Sequence, residues 1–381
     1  MSDHRLYIFE FEYFYFMKAL HILYSGLGGH GNVFFSMVEA DTEHQYQYEA
    51  LFFGIEEIRE EYIKMAEEKG ITWHFVKKKP GLDIASYRKI AKIIKLSAPE
   101  ILFLHGGCYF FPAWYASLVA PHKIKIVVRE TVPNHLKTTV DWAGLAFALI
   151  FAKKTVFLNV EYHDIVKKQL RFLFSDKRTA VIGNGIDLNL FKPGHKTDTG
   201  CIRLGMQGRL STTKDHVTLI NAFHFIVKSS VGKNNFELIL AGDGTQRGEL
   251  EKLAADLLIS DKVKFLGMLK ETALPGFINS LDIYIHATLG EMMSTAIMQV
   301  MACELPIIAS DVFGVNNMIK NGENGLLVPP NDVQKLTFAI QYYLDNPEVR
   351  SAFAKNAFTF AVNNYSNKIM FKKYQAVFEE K

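Results

Sequence analysis

A chain of 381 residues is long enough for two domains of ordinary size, each with its own core. With 49% hydrophobic and 22% charged residues the balance is globular, which excludes wholesale disorder. The formal charge of +3 and the lack of a basic face interleaved with aromatics argue against nucleic acid, and no run of uncharged apolar residues is long enough to span a membrane.

In chain order, residues 1–16 alternate aromatics with Glu10 and Glu12 and lack the basic start and clean apolar run of a signal peptide. Met17-Lys18 directly precedes a strand-like segment, so 1–16 reads as a dispensable extension. Short apolar runs then alternate with amphipathic stretches. Ala19–Ser25, Glu49–Gly54, Thr72–Val76, Ile101–His105, Ile124–Arg129, Thr155–Leu158 and Ala180–Ile182 are predicted strands, and Ile55–Lys69 a helix with Ile58, Tyr62 and Met65 on one face. That rhythm means a parallel sheet covered on both sides. Turn formers from Gly183 to Gly194 break it. A second series follows: Ile202–Gln207, Phe236–Ala241, Val263–Gly267, Ile283–His286, Pro306–Ala309 and Gly325–Val328. The reading is α/β, with two Rossmann-like doubly wound domains facing across a cleft at the carboxyl ends of both sheets. Cys108, Cys201 and Cys303 form no C-x-x-C pair and no zinc spacing, and read as reduced thiols of a cytoplasmic protein.

Three loops carry candidate chemistry. Gly26, Gly28 and Gly31 satisfy G-x-G-x-x-G between a strand and a helix, where glycines let the backbone approach a phosphate and helix amides meet it. Glu56 or Glu57 could complete an NAD site, and a mere tight turn remains the plain alternative. Arg209 and Lys214 flank the loop after the first strand of the second series, a pair able to straddle a diphosphate. Gly290 to Cys303 reads as a helix whose amides near Met293, Ser294 and Thr295 form an anion site. Glu291 and Gln299 would then stand about 12 Å apart along its axis, one reaching a sugar and the other a ribose. Taken singly, Glu291 is equally a dipole-paired first-turn acid and Gln299 a plain helix residue.

From Met17 onward the chain resembles the GT-B glycosyltransferases of family 4. The likeness is strongest over Asn184-Gly185-Ile186-Asp187, Gly208-Arg209-Leu210 with Lys214, Ala241-Gly242-Asp243-Gly244, Val263 to Gly267, the Glu291 segment, Pro306 to Asp311 and Asn321 to Pro330. The resemblance implies a retaining glycosyltransferase with a nucleotide-sugar donor (UDP-sugar, then GDP-sugar) and no cofactor. Its acceptor would be a glycan or lipid-linked, as in envelope polysaccharide synthesis. It assigns Arg209 and Lys214 to the diphosphate, Glu291 to the donor sugar as the candidate catalytic residue, the Met293–Thr295 amides to phosphate and Gly28-Gly29 to the donor from the first domain. It also divides the chain into 17–183 on the acceptor side, 184–360 on the donor side, and a helix over 361–381 returning to the first domain.

Two positions depart from the pattern. Gln299 stands where the family has a second glutamate, which implies weaker donor binding or an altered ribose contact. Glu304 occupies the usual glycine of a left-handed helix end, at a cost of about 1 kcal/mol. On the acceptor side His105, Arg129, Glu130 and His135 lie near strand ends, as candidate contacts or as structural hydrogen-bonding groups. Trp142–Phe151, followed by Lys153-Lys154, is either a helix buried on the sheet or a peripheral contact with the inner face of a membrane. No D-x-D motif is present to hold a metal. A nucleotide-sugar epimerase, an NAD dehydrogenase resting on the glycine loop, and a non-catalytic nucleotide-sugar-binding module stay open as rivals.

Overall fold

The computed structural model describes residues 17–26, 29–81, 83–120, 122–134, 137–195, 200–229 and 235–380. The expectations placed on residues 1–16, Gly28 and His135 lie outside them. The first domain contains β1 (Met17–Tyr24), α1 (Gly29–Ala40), β2 (Tyr46–Gly54), α2 (Glu60–Glu68), β3 (Thr72–Lys77), α3 (Ile84–Ser97), β4 (Ile101–Leu104), α4 (Phe110–Leu118), β5 (Lys125–Arg129), α5 (Thr139–Phe151), β6 (Lys154–Phe157), α6 (Val160–Gln169) and β7 (Thr179–Val181). All its strand pairs are parallel, in the order β3-β2-β1-β4-β5-β6-β7.

The second domain repeats the plan with β8 (Cys201–Gln207), α7 (His216–Ser229), β9 (Asn235–Ala241), α8 (Arg247–Asp256), β10 (Val263–Gly267), α9 (Leu274–Asn279), β11 (Ile283–His286), α10 (Thr295–Ala302), β12 (Ile307–Ser310), β13 (Leu326–Val328), α11 (Val333–Asp345) and α12 (Pro347–Asn364). Its parallel sheet has the order β10-β9-β8-β11-β12-β13. The order reverses beside β1 and beside β8, so the loops after these strands and after their neighbours β4 and β11 border the crevices where ligands sit in open parallel sheets.

Each sheet is buried on both faces, which is why its strands read as nearly continuous apolar runs. One face of the first sheet packs on Val33, Phe34 and Met37 of α1 and Tyr62 of α2, the other on Ile90, Ile94, Phe110, Ala113 and Ala148 of α3, α4 and α5. The chain crosses between domains at two adjacent places. Ile186 donates to the Tyr365 carbonyl at 2.8 Å and accepts from the Asn367 amide at 2.9 Å. The last helix, α13 (Asn367–Glu379), lies in the core of the first domain through Met370, Phe371, Tyr374, Val377 and Phe378.

Within the first domain the starts of α2 and β2 differ from the sequence reading by three residues or more. The helix expected from Ile55 begins at Glu60. Arg59 is extended at its N-cap and Glu60 and Glu61 occupy the first turn, where acids favour the positive dipole end. The second strand starts at Tyr46 instead of Glu49, because Tyr46, Gln47 and Tyr48 pair with Met17, Lys18 and Ala19 of β1.

Candidate active site

A cavity of about 320 Å³ opens between the domains at the carboxyl ends of both sheets. The first domain contributes Gly29 and Asn32 from α1 with Arg59 and Tyr62 around α2; the second contributes Gln207, Gly208 and Arg209 after β8, Met268 and Leu269 after β10, and Thr295 and Gln299 of α10. Gly29, Arg209, Thr295 and Gln299 of the expected residues thus share one cavity.

The loop after β8 is held from below. Gly242 adopts φ 146°, a region costly to residues with a Cβ, and an added Cβ would meet the Gly208 carbonyl oxygen at 1.9 Å. Gln207 Nε2 donates to Gln299 Oε1 at 2.5 Å, and both side chains are buried in the cavity wall. Gln207 Oε1 is buried and has no hydrogen-bond partner among the described residues. Sequence reasoning missed Gln207; its one signal was its place directly before Gly208.

The reading of Glu291 as a helix residue is corrected. Helix α10 starts at Thr295, capped by Ser294, whose Oγ accepts from the Ile297 amide at 3.4 Å. Glu291 lies in the preceding loop, so the axial spacing argued for Glu291 and Gln299 does not hold. Gly314, at φ 80°, passes so close that an added Cβ would lie 1.8 Å from the Glu291 carbonyl oxygen, and Glu291 donates its amide to Phe313 at 3.2 Å. Its carboxylate contacts Lys214 Nζ and lies 2.6 Å from His286 Nε2. Ser294 Oγ is 3.3 Å from the same nitrogen.

Lys214, Glu291, His286 and Ser294 therefore form one cluster beside the N-terminus of α10. Lys214 and Glu291 are not among the cavity's lining residues but keep 16% side-chain exposure each. Removal from water pulls Lys214 down to about 7. Burial, then the Lys214 charge, holds His286 well below its usual range, so it is a neutral imidazole. His286 also escaped the sequence reading, which saw only a strand end. Met293, whose backbone amide is the group expected near phosphate, turns its side chain to Gly183, where its sulfur accepts from the Asn184 amide at 3.3 Å, while Asn159 donates to the Met292 carbonyl at 2.9 Å. This loop thus also fastens the two domains together.

The acceptor-side candidates among the described residues, His105, Arg129 and Glu130, are buried and not open to a ligand. His105 is fully buried, its Nε2 3.2 Å from His21 Nδ1 and its Nδ1 3.5 Å from Arg129 Nη1, while Arg129 also bonds Asn184. Glu130 is paired with Lys137 at 3.3 Å and accepts from the Val132 amide at 2.9 Å. What the first domain does offer is a second cavity of about 450 Å³, walled by Tyr24, Phe53, Tyr87, Tyr109, Val140 and Asp141. Glu56, the acid considered for a ribose, is folded over the glycine loop: a Cβ on Gly26 would meet its carboxylate at 1.9 Å. Among the described residues no group of three or more His, Cys, Asp or Glu is placed to hold a metal.

Residues 190–360 match the family described as glycosyl transferases group 1. The alpha-D-kanosaminyltransferase of Streptomyces kanamyceticus is 32% identical over 130 residues, 34% of this chain and 34% of that enzyme, so the alignment spans about a third of that relative. The UDP-Gal:alpha-D-GlcNAc-diphosphoundecaprenol alpha-1,3-galactosyltransferase of Escherichia coli is 25% identical over 301 residues, 74% of this chain and 76% of that enzyme. Among solved structures, Anabaena Alr3699/HepE in complex with UDP and glucose superposes with a TM-score of 0.78 at 19% identity, covering 96% of this chain and 100% of that one. The chain has the GT-B fold, as the resemblance implied.

Proposed function

We propose that this protein is a retaining glycosyltransferase of family 4 that takes a sugar from a nucleotide-diphosphate donor, UDP-sugar first and GDP-sugar second. Its acceptor is a glycan or a lipid-linked glycan of an envelope polysaccharide, met at the cytoplasmic face of a membrane. One observation carries the reading: Arg209, the Thr295 end of α10, Gln207 and Gln299 meet Gly29 of the opposite domain in a single cavity. The names of the Escherichia coli relative, which acts from UDP-galactose on a lipid-linked acceptor, and of the Anabaena complex with UDP and glucose support the donor and acceptor classes.

In this reading Arg209 grips the diphosphate by paired hydrogen bonds, Lys214 adds a point charge and the first amides of α10 complete the cradle. These fixed donors face the charge that develops as the bond from the anomeric carbon to the diphosphate oxygen breaks. The acceptor oxygen attacks the same face, and its proton passes to the departing phosphate oxygen. Glu291, oriented by His286 and Lys214, holds a sugar hydroxyl. Gln299, braced by Gln207, faces the ribose without the charge of a carboxylate.

The test is transfer of label. Pure protein is incubated with radiolabelled UDP-glucose, UDP-galactose or GDP-mannose and membrane-extracted glycolipid acceptors. Label moving into glycolipid with the anomeric configuration of the donor is the expected result. Label that stays nucleotide-linked but changes sugar would establish the epimerase, and bound but never transferred donor would establish the non-catalytic module.

A further inference from the structure

The α3–α4–α5 layer turns toward solvent a surface unlike the rest of the molecule. Phe111 and Trp114 of α4 meet Phe147 and Phe151 of α5 with ring centroids 5.1 and 5.5 Å apart, which fixes the two helices side by side. Beyond these contacts the apolar stripes continue into solvent. Leu118 is 63% and Phe151 50% exposed, with Tyr115 and Ile150 also open, at spacings of three and four residues that keep them on one side of each helix. Contiguous exposed apolar surface of this kind marks an interaction site. Helix α4 carries no charged residue, and the one acid of α5, Asp141, is engaged in its capping box with Thr138.

The flank is basic. Helix α3 packs along α4 and turns Arg88, Lys89, Lys92 and Lys95 outward, with no acidic residue in its length. No helix among the described residues is long and apolar enough to cross a membrane.

We propose that the outer face of the α3–α4–α5 layer docks on an anionic lipid bilayer, with the α4 and α5 stripes in the acyl boundary and the α3 cations against headgroup phosphates. An apolar stripe bordered by cations is the pattern of an interfacial contact. A second copy of the chain fits less well, since its α3 and α4 carry no acid and its α5 only the capped Asp141 to meet the α3 cations, whereas headgroup phosphates do meet them. The proposal rests on the glycosyltransferase reading for its purpose. The aromatic cavity borrows Tyr87 from α3 and Val140 and Asp141 from α5, so a bilayer under this layer lies beside its wall, where a lipid-linked acceptor would arrive.

The experiment is cosedimentation of the full chain with vesicles of phosphatidylcholine alone or with one-third phosphatidylglycerol, without any donor. Wild type should pellet with phosphatidylglycerol vesicles at least tenfold better than with phosphatidylcholine, since each cation contributes about fivefold at an anionic surface. Leu118→Ser with Phe151→Ser should lower binding to both by at least tenfold. Lys89→Glu with Lys92→Glu should remove the preference for phosphatidylglycerol. These positions are exposed, and a melting temperature within a few degrees of wild type verifies that each variant is folded. Wild type left in the supernatant, or variants that pellet as wild type does, would overturn the proposal. So would a stable dimer that Leu118→Ser with Phe151→Ser dissociates, since the occupant would then be a second copy. Failure of the enzymatic reading would show in the label-transfer assay and leave the vesicle result untouched.

Discussion

Lys214 ties donor binding to pH. Its ammonium is drawn down to about 7 in the free protein, so near neutrality half the molecules carry an uncharged amine at a position assigned to a diphosphate. An arriving anion favours the charged form, so donor binding takes up a proton whenever the pH exceeds that value. With the bound diphosphate keeping Lys214 charged, affinity is full well below pH 7 and falls about tenfold per unit above it, equivalent to ~1.4 kcal/mol per unit. Between pH 6 and pH 8.5 the loss should reach roughly 30-fold, about 2 kcal/mol. The assay is calorimetric titration with UDP-glucose, whose esterified phosphates do not titrate in this range, in phosphate and in Tris buffer. The heats should differ by nearly one proton's worth of buffer ionisation at pH 8 and hardly at pH 6. Lys214→Arg should bind without pH dependence and Lys214→Met weakly at every pH. Wild-type affinity that is flat from pH 6 to 8.5, with equal heats in both buffers, would refute the role of Lys214.

Three further outcomes follow from the geometry. Glu291→Gln releases Lys214 from its carboxylate partner and removes a sugar contact, so UDP should bind at least as tightly as before while the extra affinity of UDP-glucose over UDP disappears; an unchanged ratio would take the sugar away from Glu291. His21 and His30 are each lowered to about 3 by burial, with Arg129 also acting on His30, and His105 is held well below its usual range by burial, then Arg129. The unfolded chain binds these protons first, so stability is full above about pH 6.5 and falls below it by up to ~1.4 kcal/mol per imidazole per unit; urea melts of His105→Gln should show a slope against pH shallower by one proton, and an unaltered slope would dismiss His105 as a contributor. Glu304 sits at φ 55° just past α10, so Glu304→Gly should stabilise by about 1 kcal/mol in urea, whereas a loss of stability would show that its side chain compensates for the strain.

The parallel strands were legible because burial on both faces leaves runs such as Ile101–Leu104 and Ile283–His286 no polar alternation to confuse them. The residues of the proposed phosphate cradle could be located too, since Arg209 and Thr295 are carried by strand-to-helix turns that sequence can find. The start of α10 was missed because the apolar period of Ile297, Met298 and Met301 runs back smoothly into Met293, while the real signal, a capping serine at Ser294, weighed less than the period. Gln207, His286 and Lys137 matter through partners 92, 5 and 7 residues away in sequence, namely Gln299, Glu291 and Glu130. No local pattern announces such pairs. His105 and Glu130 misled for the same reason: a polar residue at a strand end looks exposed to a cleft until Arg129 or Lys137 is seen folded against it.

The most direct measurement is a thermal-shift panel of UDP, GDP, ADP, CMP and NADH on the full chain, each at about 100 times its dissociation constant where known, which stabilises a native state by about 2.7 kcal/mol. The expected result is a clear upward shift with UDP, a smaller one with GDP, a further rise with a UDP-sugar, and loss of the UDP shift in Arg209→Ala. A shift with NADH while every nucleoside diphosphate leaves the melt unmoved would contradict the donor site between the two domains and return the glycine loop to a dehydrogenase.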